Sequence, residues 1–398
     1  MLDGVRVLEV SRSQTMMAGR VLADLGADVI VVEPPGGAEG RRLPPFLGER
    51  AGLERGLTWH ALNRNKRSVT LDVASSDGRD LFLRLAATAQ VVLEGEQAHF
   101  ASLTQNGVVH CAVRAFSENG PKRAAAFTDR TIVAAAGPAY YTGDGDRAPL
   151  YIPVPQAMME AGAEAAVAVL AGLAARERDG EGQRVGVSMR VAAMMSAFSS
   201  PYYPGTQEAR PQRSSERRPV VGIRAPQFYA CRDGFVQVNI STGGFGALTR
   251  RMTEWVATCV PLAADVVDTD WSRFPYGDDS DAARRLQATI DALTLAFSTM
   301  TKFAIGDAAR EHGFFAAPLL DMSDISRFVQ YRERGLWDSQ ALPDGRSIDA
   351  PVRFAHFDSF EIASGRPAPA LSEHTHELLA EVGLSAQEIQ ALFAHGIV

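Results

Sequence analysis

The stretch VRVLEVSRSQTMMAGRVLADLGADVIVVE, Val5 to Glu33, decides how the rest of the chain is read. Two short apolar runs, VRVLEV (Val5 to Val10) and DVIVVE (Asp28 to Glu33), flank MMAGRVLADLGA, whose apolar residues recur at helical spacing. The first turn, SRSQTMMAG, has no G-x-G-x-x-G pattern, which speaks against a nicotinamide enzyme. What remains is a βαβ unit. The alternation continues through SVTLDV, the helix DGRDLFLRLAATA, VVLE and VVHCAVRAF, so the first half predicts a parallel, helix-covered sheet of the nucleotide-binding, Rossmann-like type.

Composition bounds the function. The 398 residues suffice for roughly two or three domains by length alone. A formal charge of −7 and a pI near 5.7 exclude a dedicated nucleic-acid binder, which needs a concentrated basic face. Cys111, Cys231 and Cys259 are odd in number and far apart; they read as reduced core filler rather than a disulfide framework. No run approaches the ~18 apolar residues of a membrane helix, and no leader pattern opens the chain, so a cytoplasmic location is expected.

Between 200 and 225 the composition shifts to Pro, Arg, Ser and Glu, which reads as a linker. FYACRDGFVQVNI then predicts a hairpin turning at Arg232, Asp233 and Gly234, and two amphipathic helices follow, RRLQATIDALTLAFSTM and KFAIGDAAREHG. The end, SEHTHELLAEVGLSAQEIQALFAHGIV, predicts two helices with Ser372 and Ser385 as N-caps; Glu388 completes a capping box on the second.

Few stretches carry chemistry. EPPGGAEGRR (Glu33 to Arg42) reads as a solvated turn or as a phosphate grip at a strand's carboxyl end. ALNRNKRSVTLDV sets Arg64, Lys66 and Arg67 ahead of a strand, by itself a surface loop. PVPQAMMEAG (Pro153 to Gly162) is a strand-to-helix mouth in which Glu160 alone can be charged. The histidines form no metal constellation: His374 and His376 in EHTH are two apart and face different ways on a helix start. Trp59, Trp255, Trp271 and Trp337 read as core or interface anchors, and Asp144 and Asp146 of GDGD as turn acids.

Taken together, LADLGADVIVVEPPGG, LNRNKRSVTLD and SEHTHELLAEVGLSAQEIQAL resemble the class III CoA-transferase superfamily, which includes formyl-CoA and carnitine CoA-transferases and α-methylacyl-CoA racemases. SENGP (Ser117 to Pro121), the FTD to AAAG segment (Phe127 to Gly137), TGDGDRAP, ERDGEGQRVGVSM, the YxxxDG hairpin and HGFFAAPLLDMSDI fall in the family's order. The resemblance implies an α/β fold with a Rossmann-like, CoA-binding large domain built from both chain ends, 1–200 and 330–398. A linker at 201–225 and a smaller central α+β domain at 226–329 would complete it, with two chains interlocked as rings. It implies CoA or an acyl-CoA as ligand and no metal. Arg41 or Arg42 would meet the CoA phosphates, and the loop holding Arg64, Lys66 and Arg67 would lie near the nucleotide.

The resemblance also exposes departures. Transferases of this family use an aspartate that attacks the thioester and later holds CoA; aligning the Ala-Gly that ends its motif on Ala161 and Gly162 puts Met158 at that position. A thioether can do neither step. The family's Ala-Gly-Pro after the first strand is Gln14, Thr15 and Met16 here, its ENFRPG is EGEQAH (Glu94 to His99), its glycine-rich gating is reduced to Gly222, and the racemases' His-Asp pair is Thr128 and Asp129. Asp129 and Glu160 are therefore the candidate catalytic residues. Asp129 also reads as an N-cap or supporting acid for the helix RTIVAAAG, and Glu160 as a solvent-facing residue. Three functions are open: a transferase subunit whose nucleophilic aspartate comes from a paralogous chain, a repurposed homodimeric enzyme using Asp129 or Glu160, and a binding protein without catalysis.

Overall fold

The structure, a computed structural model, describes the whole chain except residues 11, 97–98, 198–212, 214–216, 276, 278 and 363–364. The predicted βαβ unit is present as β1 (Arg6–Val10), α1 (Met16–Asp24) and β2 (Asp28–Glu33). Helix α2 (Leu57–Leu62), β3 (Arg67–Thr70), α3 (Ser76–Ala86), β4 (Val91–Glu94), β5 (Val109–Arg114), α4 (Asp129–Ala136), α5 (Pro138–Tyr141), α6 (Gln156–Asp179), β6 (Arg184–Ser188) and α7 (Met189–Met195) follow. The six strands form one parallel sheet in the order β3-β2-β1-β4-β5-β6. This order reverses between β1 and β4, and a crevice opens at the strands' carboxyl ends where such a reversal occurs. The central strands are buried on both faces, which is why they read as unbroken apolar runs.

The chain divides into two compact units. The first comprises Met1–Tyr140, Tyr151–Arg210 and Val329–Val398; the second comprises Tyr141–Leu150 and Pro211–Phe328. The C-terminal residues belong with the sheet for a concrete reason. Leu378, Leu379, Ile389 and Val398 bury against Leu8, Ile30, Phe82 and Phe100 in one apolar cluster. The Thr375 hydroxyl accepts from the Thr70 amide at 3.0 Å, and the Ile397 carbonyl from the Asp72 amide at 2.8 Å. Of the two expected N-caps in this segment, Ser385 holds, with Glu388 completing the box. Ser372 does not: the helix Thr375–Glu381 starts after His374, and Ser372 sits at positive φ with its hydroxyl donating to Thr375 Oγ1.

In the second unit, Phe228–Cys231 and Gly234–Val238 pair antiparallel around a two-residue turn, Arg232 and Asp233, and Ala316–Pro318 adds a third strand. Two of its helices, Ser280–Ser298 and Lys302–His312, follow the predicted pattern; a third, Gly246–Cys259, has no counterpart in the sequence reading. Part of the segment read as a linker is ordered, since Arg217–Val220 pairs with Ile223–Pro226; its residues 201–212 and 214–216 lie outside the described ones.

Three further expectations need correction. By length and composition α6 is apolar enough to cross a membrane. Ala157, Ala161, Ala165 and Val169 are nevertheless fully buried in the first unit's core, and Gly162 lets α1 approach so closely that a Cβ there would stand 2.5 Å from Met17 Cβ. Cys259 is exposed, so only Cys111 is buried core filler, and burial pushes its thiol up to about 12. Trp59, Trp255 and Trp271 are buried, whereas Trp337 is half-buried.

Candidate active site

A cavity of about 870 Å³ opens in the first unit where the sheet order reverses. Arg12, Ser13 and Gln14 enter it directly after β1, and Glu96 directly after β4. Glu39 and Leu43 to Pro45 come from the loop after β2. The facing wall is Phe127 to Arg130 at the start of α4, Tyr151, and the first turn of α6 with Pro155 and Met158. The site is thus made of loop and helix starts at strand carboxyl ends, as this sheet type dictates.

Helix α6 begins at Gln156, because Pro155 fits just ahead of a helix, where no amide donor is needed. Met158 then falls in the first turn, 4% exposed, at the cavity. Asp129 meets that turn from the side. Its Oδ1 accepts the Met158 amide at 2.9 Å, and Oδ2 accepts from the Tyr151 hydroxyl at 3.5 Å. The sequence reading as an N-cap of its own helix is corrected: Thr128 caps α4, in a capping box with Thr131, and Asp129 caps α6 instead. Its carboxyl lies above the usual range because burial disfavours the charge, and this outweighs the amides of Met158, Ala157 and Gln156 and the Tyr151 hydroxyl. Glu160 is half-buried and does not line the cavity; burial, then the charges of Asp129 and Glu164, raise its carboxyl as well.

The five basic residues read as CoA-binding are placed differently from one another, and none lines the cavity. Arg41 is fully buried, forked onto Glu33 at 2.7 and 2.8 Å, bonded to Glu54 and stacked 4.0 Å from the Trp59 ring centroid. Lys66 is buried against Glu9, with bonds of 2.7 Å to Oε2, 2.8 Å to Asn63 Oδ1 and 3.0 Å to the Met16 carbonyl. Arg64 is buried with its Nε 3.3 Å from Asp24, and Arg67 bridges Asp28, Glu377 and Glu381. Their charge is spent inside the fold. Arg42 alone is exposed, holding the carbonyls of Gly36, Gly37 and Ala38.

Sequence reasoning did not single out Arg12, Glu96, Arg130 or Tyr151. The signal that could have found Arg12 and Glu96 is their position immediately past β1 and β4, the two strands flanking the reversal. Among the described residues no group of three or more His, Cys, Asp or Glu could hold a metal ion; His374 Nδ1 accepts the Ser68 amide, and His376 stacks on Phe393.

The sequence profile of CoA-transferase family III matches residues 2–375. A subunit of the succinyl-CoA:(R)-benzylsuccinate CoA-transferase of Thauera aromatica is 26% identical, over 99% of this chain and 97% of its own. A probable fatty acyl-CoA transferase of Mycobacterium tuberculosis is 34% identical, over 95% of this chain and 97% of its own. The crystal structure of a CAIB/BAIF family protein from Brucella suis superposes with a TM-score of 0.78 at 25% identity, covering 96% of this chain and 99% of that one.

Proposed function

From its membership of CoA-transferase family III, to which this chain belongs, we propose that it binds an acyl-CoA as one subunit of a transferase moving CoA between carboxylic acids. The acyl-accepting aspartate comes from a paralogous chain, in an interlocked heteromer acting in the cytoplasm. In such a reaction a carboxylate oxygen attacks the acyl carbon and the CoA thiolate leaves, giving a mixed anhydride. The thiolate then attacks the aspartyl carbonyl, which releases the donor acid and leaves an aspartyl-CoA thioester. The acceptor carboxylate attacks that carbonyl, freeing the thiolate as a second mixed anhydride forms, and the thiolate takes the acceptor's acyl carbon, giving the new acyl-CoA and the free aspartate.

One observation carries the reading. The cavity's position in the first turn of α6 is filled by the thioether of Met158, and the carboxylate beside it, Asp129, is occupied by the α6 amides. A thioether has no oxygen to form the anhydride. The name of the Thauera relative, a subunit of a CoA-transferase, agrees with a divided enzyme. Of the basic residues, exposed Arg42 is the one to meet CoA phosphates.

A second reading has its own support. Asp129 lines the cavity with a carboxyl held upward by burial and next to the Tyr151 hydroxyl, a setting that suits an acid or base in a repurposed homodimer.

The test is reconstitution. The purified chain, alone and mixed with an aspartate-bearing paralogue, is given an acyl-CoA and an acceptor acid, and CoA transfer is followed with mass spectrometry for a covalent adduct. Transfer only in the mixture, with the adduct on the paralogue, is expected. Transfer by this chain alone overturns the divided enzyme, and an Asp129→Asn variant that ends such activity establishes the second reading.

A further inference from the structure

A smaller cavity, of about 190 Å³, lies on β5 and β6 and shares no lining residue with the one described above. Parallel pairing sets Arg114 opposite Ser188, Ala112 opposite Gly186 and His110 opposite Arg184, and strand alternation turns these residues to one face of the sheet. Cys111, Val113 and Val187 turn the other way, into the apolar core. Ala112 and Gly186 keep the cavity's floor low; a Cβ on Gly186 would meet nothing within 4 Å. Arg114 and Arg184 bound the floor, and Phe116 to Asn119 wall it. Glu118 is the one carboxylate among the lining residues, and it is bonded to Arg184. Lys122 stands 5.7 Å from the centroid of the Phe116 ring. Arg114 is half-buried, with its Nε closed off from solvent and without a hydrogen-bond partner. A guanidinium can only donate, so the group that completes it is an acceptor, and a buried donor left without one is costly.

We infer that this cavity is a binding site for a phosphate group, free or on a small carbon body, with Arg114 as its principal contact. Arg114, Arg184 and Lys122 stand there against the single carboxylate of Glu118, a balance that favours an anion. Ser117, Asn119 and Ser188 line the same cavity with hydroxyl and amide donors. That supply suits the three terminal oxygens and nearly two negative charges of a phosphate better than the two oxygens and one charge of a carboxylate. The volume lies below the roughly 300–1,000 Å³ of sites for drug-sized ligands, so the body attached to the phosphate is a few atoms rather than a nucleotide. The site stands whatever the larger cavity binds.

Calorimetric titration of the full chain with inorganic phosphate, glycerol 3-phosphate and acetate at one ionic strength tests it, with amide exchange followed at peptides covering residues 109–119 and 184–188. The wild-type protein is expected to bind one of the two phosphates tighter than acetate by roughly tenfold or more, and to gain protection in those peptides. The tighter of the two identifies free phosphate or a phosphate monoester as the source. Arg114→Leu should weaken this binding by roughly 10- to 100-fold, the span of a charged hydrogen bond, and Arg114→Lys should recover part of it. Gly186→Val keeps every cation, fills the floor and should also remove the binding, so the test does not depend on one variant folding; an unchanged urea midpoint checks each. Acetate binding as tightly as phosphate, affinity that survives both Arg114→Leu and Gly186→Val, or protection gained only outside those peptides overturns the inference.

Discussion

Replacing Lys66 by methionine separates the structural role of the basic loop from a ligand-binding one. Lys66 and Glu9 are buried side by side, and the ammonium supplies Glu9 Oε2 with its one charged partner at 2.7 Å. Without it, the carboxylate keeps, among the described residues, the Thr15 hydroxyl at 3.0 Å, while Asn63 Oδ1 and the Met16 carbonyl lose the Lys66 donor. Water cannot easily follow, since Gly19 packs so closely that a Cβ would fall 1.9 Å from Glu9 Oε2. Breaking one side of such a pair costs about 3–5 kcal/mol, because an uncompensated charge remains in the interior. Since about 1.4 kcal/mol is tenfold, amide exchange protection in β1 and β3 should fall roughly a hundred- to several-thousand-fold. Adding Glu9→Gln to Lys66→Met removes the stranded charge and should recover most of the loss, giving a coupling of about 2 kcal/mol or more in the double-mutant cycle. Exchange monitored by mass spectrometry at peptides covering β1 and β3 reads the first unit by itself, which a whole-chain melt would not. The reasoning is refuted if Lys66→Met leaves protection within a few-fold of wild type and lowers CoA affinity instead, because the ammonium would then belong to the ligand.

Two further outcomes are expected. The Asp129 carboxyl is raised in the folded protein, so its favourable contribution is fully present below the unfolded value of about 3.9 and is lost as pH rises through the folded value. Asp129→Asn removes this loss, so the melting temperature of the variant relative to wild type should rise between pH 3.5 and pH 7; a flat or falling difference sinks the assignment. Ser385→Ala removes the hydroxyl that accepts the Glu388 amide at 3.3 Å and should cost about 1 kcal/mol at the C-terminal helix, read as faster exchange there without change in β5 or β6.

How far the sequence could be read depended on whether a residue's role is local. Strands β1 to β5 and helix α3 were legible because apolar runs and helical spacing are imposed by the sheet they build. The Ser385 cap was legible because a capping box lies within four residues. The cap at Ser372 failed because Thr375 is drawn to the Thr70 amide of β3, a partner 305 residues away, and the helix starts later. The basic loop misled for the same reason. A run of Arg64, Lys66 and Arg67 looks solvated when its neighbours in sequence are considered, but Asp24, Glu9, Asp28, Glu377 and Glu381 are brought to it by the fold. At the site, Met158 and Asp129 could be named from the chain, while their relation, one capping the helix that carries the other, could not.

By itself, then, the sequence determined the βαβ alternation, the parallel sheet it entails, the likeness to CoA-transferase family III, and which side chain stands at Met158. Those are properties of residue type and order, carried by periodicity and by motifs of a few residues. Only the tertiary structure decided that four of the five suspected ligand-binding cations are buried and that Arg12, Gln14 and Glu96 share a cavity with Asp129. It did so because burial and charge pairing are set by residues distant in the chain, which meet only once the sheet has formed.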